Sequence, residues 1–238
     1  MLEFIAARRS ASFLQTPAWA RVKSEWRGER IGFYDGDQLT GVGLILYRKL
    51  PKLPRYLAYL PEGPVLDWSR DDIDEHFDAL VAHVKKRQAF AVRVGPAVVH
   101  RMWGTKTIKT AIADDNVTSL TEVAPDAITP EGERVVSVLK RGGWITDNTG
   151  QGFAAGQPQF NFQLSLRHED GTQKSEDELL KGMNQLWRRN IKKAAKLGVE
   201  VKLGTREDLA RFHQVYLETA KRDGFTGRPL EYFEHMWD

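Results

Sequence analysis

The chain has 238 residues, 41% hydrophobic and 28% charged, the mixture of an ordinary globular protein with room for one large domain or one and a half average ones. It has no cysteine, which excludes disulfides, thiolate nucleophiles and cysteine-ligated metals. No apolar run nears the roughly 20 residues that cross a bilayer, and 35 Lys and Arg against 32 Asp and Glu leave a net charge of +3, too small to name a partner by itself.

The opening "MLEFIAARRS" sets its basic pair after the apolar residues, the reverse of a secretory signal, so a cytoplasmic protein is expected. In "FLQTPAWARVKSEW", Thr16-Pro17 reads as a helix start, with a hydroxyl at the N-cap and proline at the first helical position. Trp19, Val22, Lys23 and Trp26 then share one helical side. Lys23 among tryptophans has two readings. Its stem lies on the rings with the ammonium in water, or the ammonium holds an anionic ligand.

"RIGFYDGDQLTGVGLILYRKL" predicts a hairpin turning at Asp35-Gly36-Asp37, and "RYLAYLPEGPVLDW" a strand that ends in a Pro/Gly loop. Ile73, Phe77, Leu80, Val81 and Val84 mark the inner face of a helix over residues 71–87. "AFAVRVGP" reads as a short buried strand, residues 131–141 as a helix closed by Gly142-Gly143, and "WITDN" as a further strand. Helices between strands of a mixed sheet indicate an α/β domain. The loop "TGQGFAAGQPQ" is the best candidate boundary.

Beyond it, "FNFQLSL" and "VEVKL" alternate like strands. Ser175 and Glu178 form a capping box for a helix whose inner side carries Leu179, Met183, Leu186, Trp187, Ile191 and Ala194. Thr205 starts another helix that stops at Gly224, and Pro229 opens a last one whose apolar stripe has only begun at Trp237. The expectation is a second domain cut short.

Few motifs carry chemistry. Arg188, Arg189, Lys192, Lys193 and Lys196 form a basic flank, either a solvated face or a surface for the phosphates of RNA or an anionic membrane. The six histidines make no metal pattern; His76 and His83 share a helix without a third ligand. Neither "GVG" nor "GQGFAAG" opens a helix as a phosphate cradle must. Arg228 precedes Pro229, which favours extended backbone and leaves its guanidinium free to fork onto a phosphate, with Tyr232 one turn further on.

Together "FLQTPAWARVKSEW", "YLPEGPVLDW", "RRNIKKAAKLGVEV" and "GFTGRPLEYF" resemble, in order and approximate spacing, the motifs of the FemABX aminoacyltransferases. The resemblance covers essentially the whole chain. It implies an α/β (α+β) fold of tandem acyl-CoA N-acyltransferase-like domains with mixed sheets, here at residues 1–152 and, incomplete, 153–238. It also implies transfer of an amino acid from aminoacyl-tRNA to the peptide stem of a peptidoglycan precursor, lipid II or UDP-MurNAc-pentapeptide, building the interpeptide bridge. The tRNA is a co-substrate, and neither cofactor nor metal is implied.

By the same matching Lys23 and Arg228 hold the precursor's diphosphate, and Trp26, Asp67 and Tyr232 line the pocket. Some relatives carry an aspartate one residue before the proline that ends the "AFAVRV" strand, as general base. This chain has Gly95 there, which leaves Asp67 as the one candidate base. A lipid-linked acceptor would bring the protein to the inner membrane face, which tilts the 188–196 flank towards lipid rather than tRNA. Two alternatives stand beside this reading: an acyl-CoA-dependent acyltransferase of a small molecule, and a non-catalytic RNA- or membrane-binding module.

Overall fold

The computed structural model describes residues 1–8, 11–146 and 157–238. They divide into two compact units, Met1–Gln157 and Pro158–Asp238. The boundary expected between residues 152 and 153, most of the loop that suggested it, and the end of "WITDN" lie outside the described residues. The part of that last segment which is described, 144–146, forms no strand.

The first unit is built on a mixed sheet. β1 (Arg27–Asp35) and β2 (Gln38–Lys49) form the expected hairpin, and β3 (Tyr56–Leu60) returns antiparallel along β2. β4 (Val65–Leu66) pairs with the start of β2, and β5 (Ala89–Val94) lies parallel to β3. β2 is central, and its run Thr40–Tyr47 is buried throughout, as a strand covered on both faces must be. α1 (Leu2–Ala6) and α2 (Pro17–Val22) contact β2.

The main core joins Ile45, Tyr47, Ala58 and Leu60 of the sheet to α3 (Ile73–Lys86) and α5 (Pro130–Arg141). α3 contributes Ile73, Phe77, Leu80 and Val84, the periodic face read from the sequence. α4 (Thr105–Ile112) and the small pair β6 (Arg101–Met102) and β7 (Ala127–Ile128) had no clear sequence signal, because two-residue strands are too short to alternate.

Four local readings need correction in the first unit. Thr16 does not cap α2 with its side chain; its hydroxyl donates to the Phe13 carbonyl at 2.7 Å, closing a 3-10 turn over Phe13–Gln15. α2 ends at Val22, because Lys23 leaves helical geometry at φ −93°, ψ 46°. Trp26 therefore sits in the turn before β1 rather than on the helix. β5 is half exposed, with Phe90 54% accessible, since it is an edge strand of its sheet.

The second unit departs further from expectation. The single helix expected between the Ser175 cap and a stop at Gly198 is two helices, α6 (Glu176–Gly182) and α7 (Gln185–Lys196). Met183 is extended and the Asn184 side chain caps α7 by accepting from Trp187 N at 2.9 Å. The Ser175–Glu178 capping box is present. Segments 160–166 and 199–203, read as strands, form no ladder. Among the described residues the first meets only a short return at its end, an isolated Arg167–Gln173 bridge with Lys174 N donating to Leu166 O at 3.0 Å, and in the second Val201 and Leu203 stand fully exposed. An alternating segment without a partner cannot satisfy its backbone as a sheet. The mixed sheet expected of the second domain is therefore not formed among the described residues of this unit. α8 (Leu209–Asp223) ends at Gly224, whose φ of 72° suits glycine, and α9 (Leu230–Trp237) follows. The Phe233 ring packs edge-on against Phe212 and Tyr216 at 5.0–5.1 Å and joins these two helices.

Candidate functional site

Lys23 is the first-unit residue with the strongest sequence claim. Its side chain is only 14% exposed and its ammonium lies 5.8 Å from the centre of the Trp19 ring and 3.5 Å from the Glu25 carboxylate. The cation is therefore set between the Trp19 ring and the Glu25 carboxylate, not extended into bulk water. Backbone bonds hold it there: Lys23 N donates to Trp19 O and Trp26 N to Lys23 O, both at 2.9 Å. The sharp turn out of α2 thus brings Trp26 beside Lys23, although the two do not share a helix.

The sheet supplies the rest of this surface. The Trp26 ring is 6.2 Å from the Tyr59 ring of β3, and the Arg48 guanidinium of β2 lies 5.7 Å from Trp26. Burial pushes the Tyr59 hydroxyl above its ordinary pKa; Gln157, 3.5 Å away, and the charge of Arg93 pull it down, and Glu62 pushes it up. Sequence reasoning missed Tyr59, Arg48, Arg93 and Glu62, because their approach depends on sheet register and not on spacing.

Gln15 explains how the first two motifs meet. Its amide is fully buried; Nε2 donates to Pro61 O at 2.7 Å and Oε1 accepts from Leu44 N at 2.9 Å. Leu44 lies on β2 between the stretches paired with β3 and β4, so the amide closes a gap that the sheet leaves open. Gly63 must lack a side chain here, since a Cβ would fall 2.3–2.5 Å from that amide. The pair fixes "FLQTP" against "PEGP".

Asp67 occupies a turn. Its carboxylate accepts from Ser69 N at 3.1 Å and Ser69 Oγ at 2.6 Å, and these bonds hold its pKa below the usual carboxylate range. That makes it a weak proton acceptor at neutral pH. Gly95 follows β5 beside Glu62: its N–H donates to Gly63 O at 3.3 Å, and a Cβ added to it would meet Glu62 N at 3.6 Å, an ordinary contact. Space for a side chain therefore exists at Gly95.

In the second unit Arg228 is exposed, and its backbone is clamped. Its N–H donates to the Tyr216 hydroxyl at 3.0 Å, and its carbonyl accepts from His213 Nε2 at 2.9 Å. The guanidinium lies 5.3 Å from the Tyr232 ring, so the two residues matched from the same motif are together. On α7, Arg189, Lys192, Lys193 and Lys196 are exposed, while Arg188 donates to Lys181 O at 3.2 Å. The apolar stripe beside them is not covered within this unit: Trp187 is 60% and Leu186 53% exposed.

Among the described residues no group of three or more His, Asp or Glu side chains gathers to hold a metal. His76 is engaged by Thr40 Oγ1 and Asp72 O, both at 2.9 Å, and His83 by Glu29 at 3.1 Å. No helix among the described residues is long and apolar enough to cross a membrane.

The profile of the FemAB family matches residues 2–238. The chain belongs to the FemAB family. Relatives include proteins named lipid II:glycine glycyltransferase from Staphylococcus epidermidis, 26% identical over 237 residues, and from Staphylococcus aureus, 26% identical over 238. In both cases the match covers 99% of this chain and 49% of the relative. The crystal structure of FemX is similar with a TM-score of 0.65 at 25% identity, covering 99% of this chain and 51% of that one. The FemAB chain described here thus spans about half the length of the relatives it matches. Its mixed α/β architecture agrees with the FemX likeness.

Proposed function

We propose that this FemAB chain acts in an aminoacyltransferase that extends the peptide stem of a peptidoglycan precursor, with aminoacyl-tRNA as donor and lipid II or its UDP-linked form as acceptor. The observation that carries the reading is Lys23, a mostly buried cation held against the Trp19 ring, one turn from the Trp26–Tyr59 ring pair, in a chain whose relatives are named lipid II:glycine glycyltransferase. A diphosphate is the acceptor group that such a cation suits, and Arg228 stacked by Tyr232 offers a planar fork of the same kind.

The chemistry asks little of the protein. The tRNA ester is already activated, so neither a covalent nucleophile nor a metal is needed. Holding the acceptor amine against that ester supplies roughly 7–11 kcal/mol of the barrier. The amine must shed a proton, and Asp67 is poorly matched to accept it because Ser69 stabilises its ionised form. A water or an oxygen of the tRNA ribose fits that step better. We assign the α7 flank to the phosphates of the tRNA: Arg189, Lys192, Lys193 and Lys196 are exposed cations on one helix, the kind of surface that releases counterions from nucleic acid.

The test is transfer of labelled amino acid from charged tRNA to lipid II, with RNase and coenzyme A controls. RNase-sensitive, coenzyme A-independent transfer is expected. Transfer that needs an acyl-CoA instead would replace this reading.

A further inference from the structure

One end of the first unit's sheet gathers positive charge that the proposed reaction does not use. The β2–β3 connection reads "RKLPKLPR", residues 48–55. It closes through Leu50 N donating to Arg55 O at 2.9 Å, and Arg48, Lys49, Lys52 and Arg55 are all exposed. The last turn of α3 adds Lys85 and Lys86, because Tyr56 N donates to Gln88 O at 3.2 Å and so brings the end of α3 against the start of β3. The acid at this end, Glu29, is already matched by Arg87 at 2.8 Å and His83 at 3.1 Å. Six cations remain.

The tip is also apolar. Leu53 is 55% exposed between Pro51 and Pro54, and Leu50 is half-buried. The prolines fix their own φ and Lys52 sits at φ 66° between them, so the tip has a set shape before it meets anything. Cations around a protruding leucine suit a charged lipid surface, where ammonium and guanidinium groups meet headgroups and the aliphatic side chain enters the interface. A single-stranded RNA would call for stacking aromatics, and "RKLPKLPR" contains none; a duplex bound by its phosphates alone would give an exposed leucine nothing to do.

We infer that the β2–β3 hairpin tip and the end of α3 form a docking face for an anionic phospholipid leaflet. Arg48, at the root of the hairpin, lies 5.7 Å from Trp26, so docking would present the Lys23 surface next to the leaflet. For a lipid-linked acceptor that sets the diphosphate near the height at which its tail enters the bilayer. Only this orientation rests on the reading of Lys23; the docking itself does not.

The experiment measures partition of the 238-residue chain onto vesicles of phosphatidylcholine, with and without an equal part of phosphatidylglycerol. A triple Lys49→Gln, Lys52→Gln, Arg55→Gln variant should bind the anionic vesicles roughly 100-fold more weakly, about fivefold per cation. Leu53→Ser should weaken binding on its own, while Lys192→Gln with Lys193→Gln should change it little. Unchanged vesicle binding in the triple variant overturns the inference. So does a loss of tRNA binding with vesicle binding intact, which would make this a nucleic-acid face. Titration with soluble UDP-linked precursor separates the two claims, since the triple variant should bind it as wild type does. A Lys23→Met variant that also binds it normally would defeat the reading of Lys23 and leave the docking result standing.

Discussion

Replacing Gln15 by leucine keeps nearly the same volume and removes two buried hydrogen bonds. Both groups left behind, Leu44 N–H and Pro61 C=O, lie where no water reaches the 0% exposed side chain that now satisfies them. An orphaned buried backbone group costs about 1–3 kcal/mol, so the pair should cost about 2–5 kcal/mol. At roughly 2–4 °C per kcal/mol for a unit of this size, the melting temperature should fall by about 5–15 °C. Urea unfolding followed by circular dichroism reads this directly, with an unchanged slope showing that the denatured state is not at issue. Gln15→Glu should also destabilise at pH 7, since a carboxylate oxygen would then face the Pro61 carbonyl. A Gln15→Leu variant within about 0.5 kcal/mol of wild type would refute the idea that this amide joins the Lys23 segment to the "PEGP" loop.

Other outcomes are as definite. Burial alone would raise the Glu29 carboxyl, but bonds from Arg87, Tyr47 and His83 bring it down to about 2 from 4.5. A lowered folded-state pKa gives stability that is full above the unfolded value and lost as pH falls through about 4.5 towards 2, here roughly 2–3 kcal/mol. Glu29→Gln should therefore destabilise at pH 7 and be nearly neutral at pH 2, and equal effects at both would contradict this. Gly95→Asp should fold with stability within about 1 kcal/mol of wild type, because its Cβ meets only ordinary contacts; a larger loss in thermal melts would deny that the space exists. Neutralising Lys192, Lys193 and Lys196 should weaken tRNA binding and flatten its salt dependence by roughly 0.7–0.9 log units per lost phosphate contact. An unchanged slope would leave α7 an ordinary solvated face.

What the sequence made legible follows periodicity. The α3 stripe, the β1–β2 hairpin with its two-residue loop, and the Ser175 capping box depend on neighbours in the chain, and each is where the pattern put it. The failures come where partners are distant. "FNFQLSL" and "VEVKL" have the alternation of strands, but a strand is made by its neighbour, and neither has one along its length among the described residues. The α6–α7 break turned on Asn184, whose capping outweighed an unbroken apolar stripe. Of the candidate residues, Lys23 in the first unit and Arg228 in the second were each visible as a cation out of place. Gln15, in contrast, reads as a polar residue in a loop until the sheet gap that it fills is known.

In the proposed function Lys23 holds a diphosphate. Calorimetric titration of wild-type protein and Lys23→Met with UDP-MurNAc-pentapeptide tests it most directly. Loss of one charge-assisted phosphate contact should cost about 1.5–3 kcal/mol, a drop in affinity of roughly 10- to 150-fold, with the fold unchanged by circular dichroism. Equal affinity in the two proteins would contradict the claim.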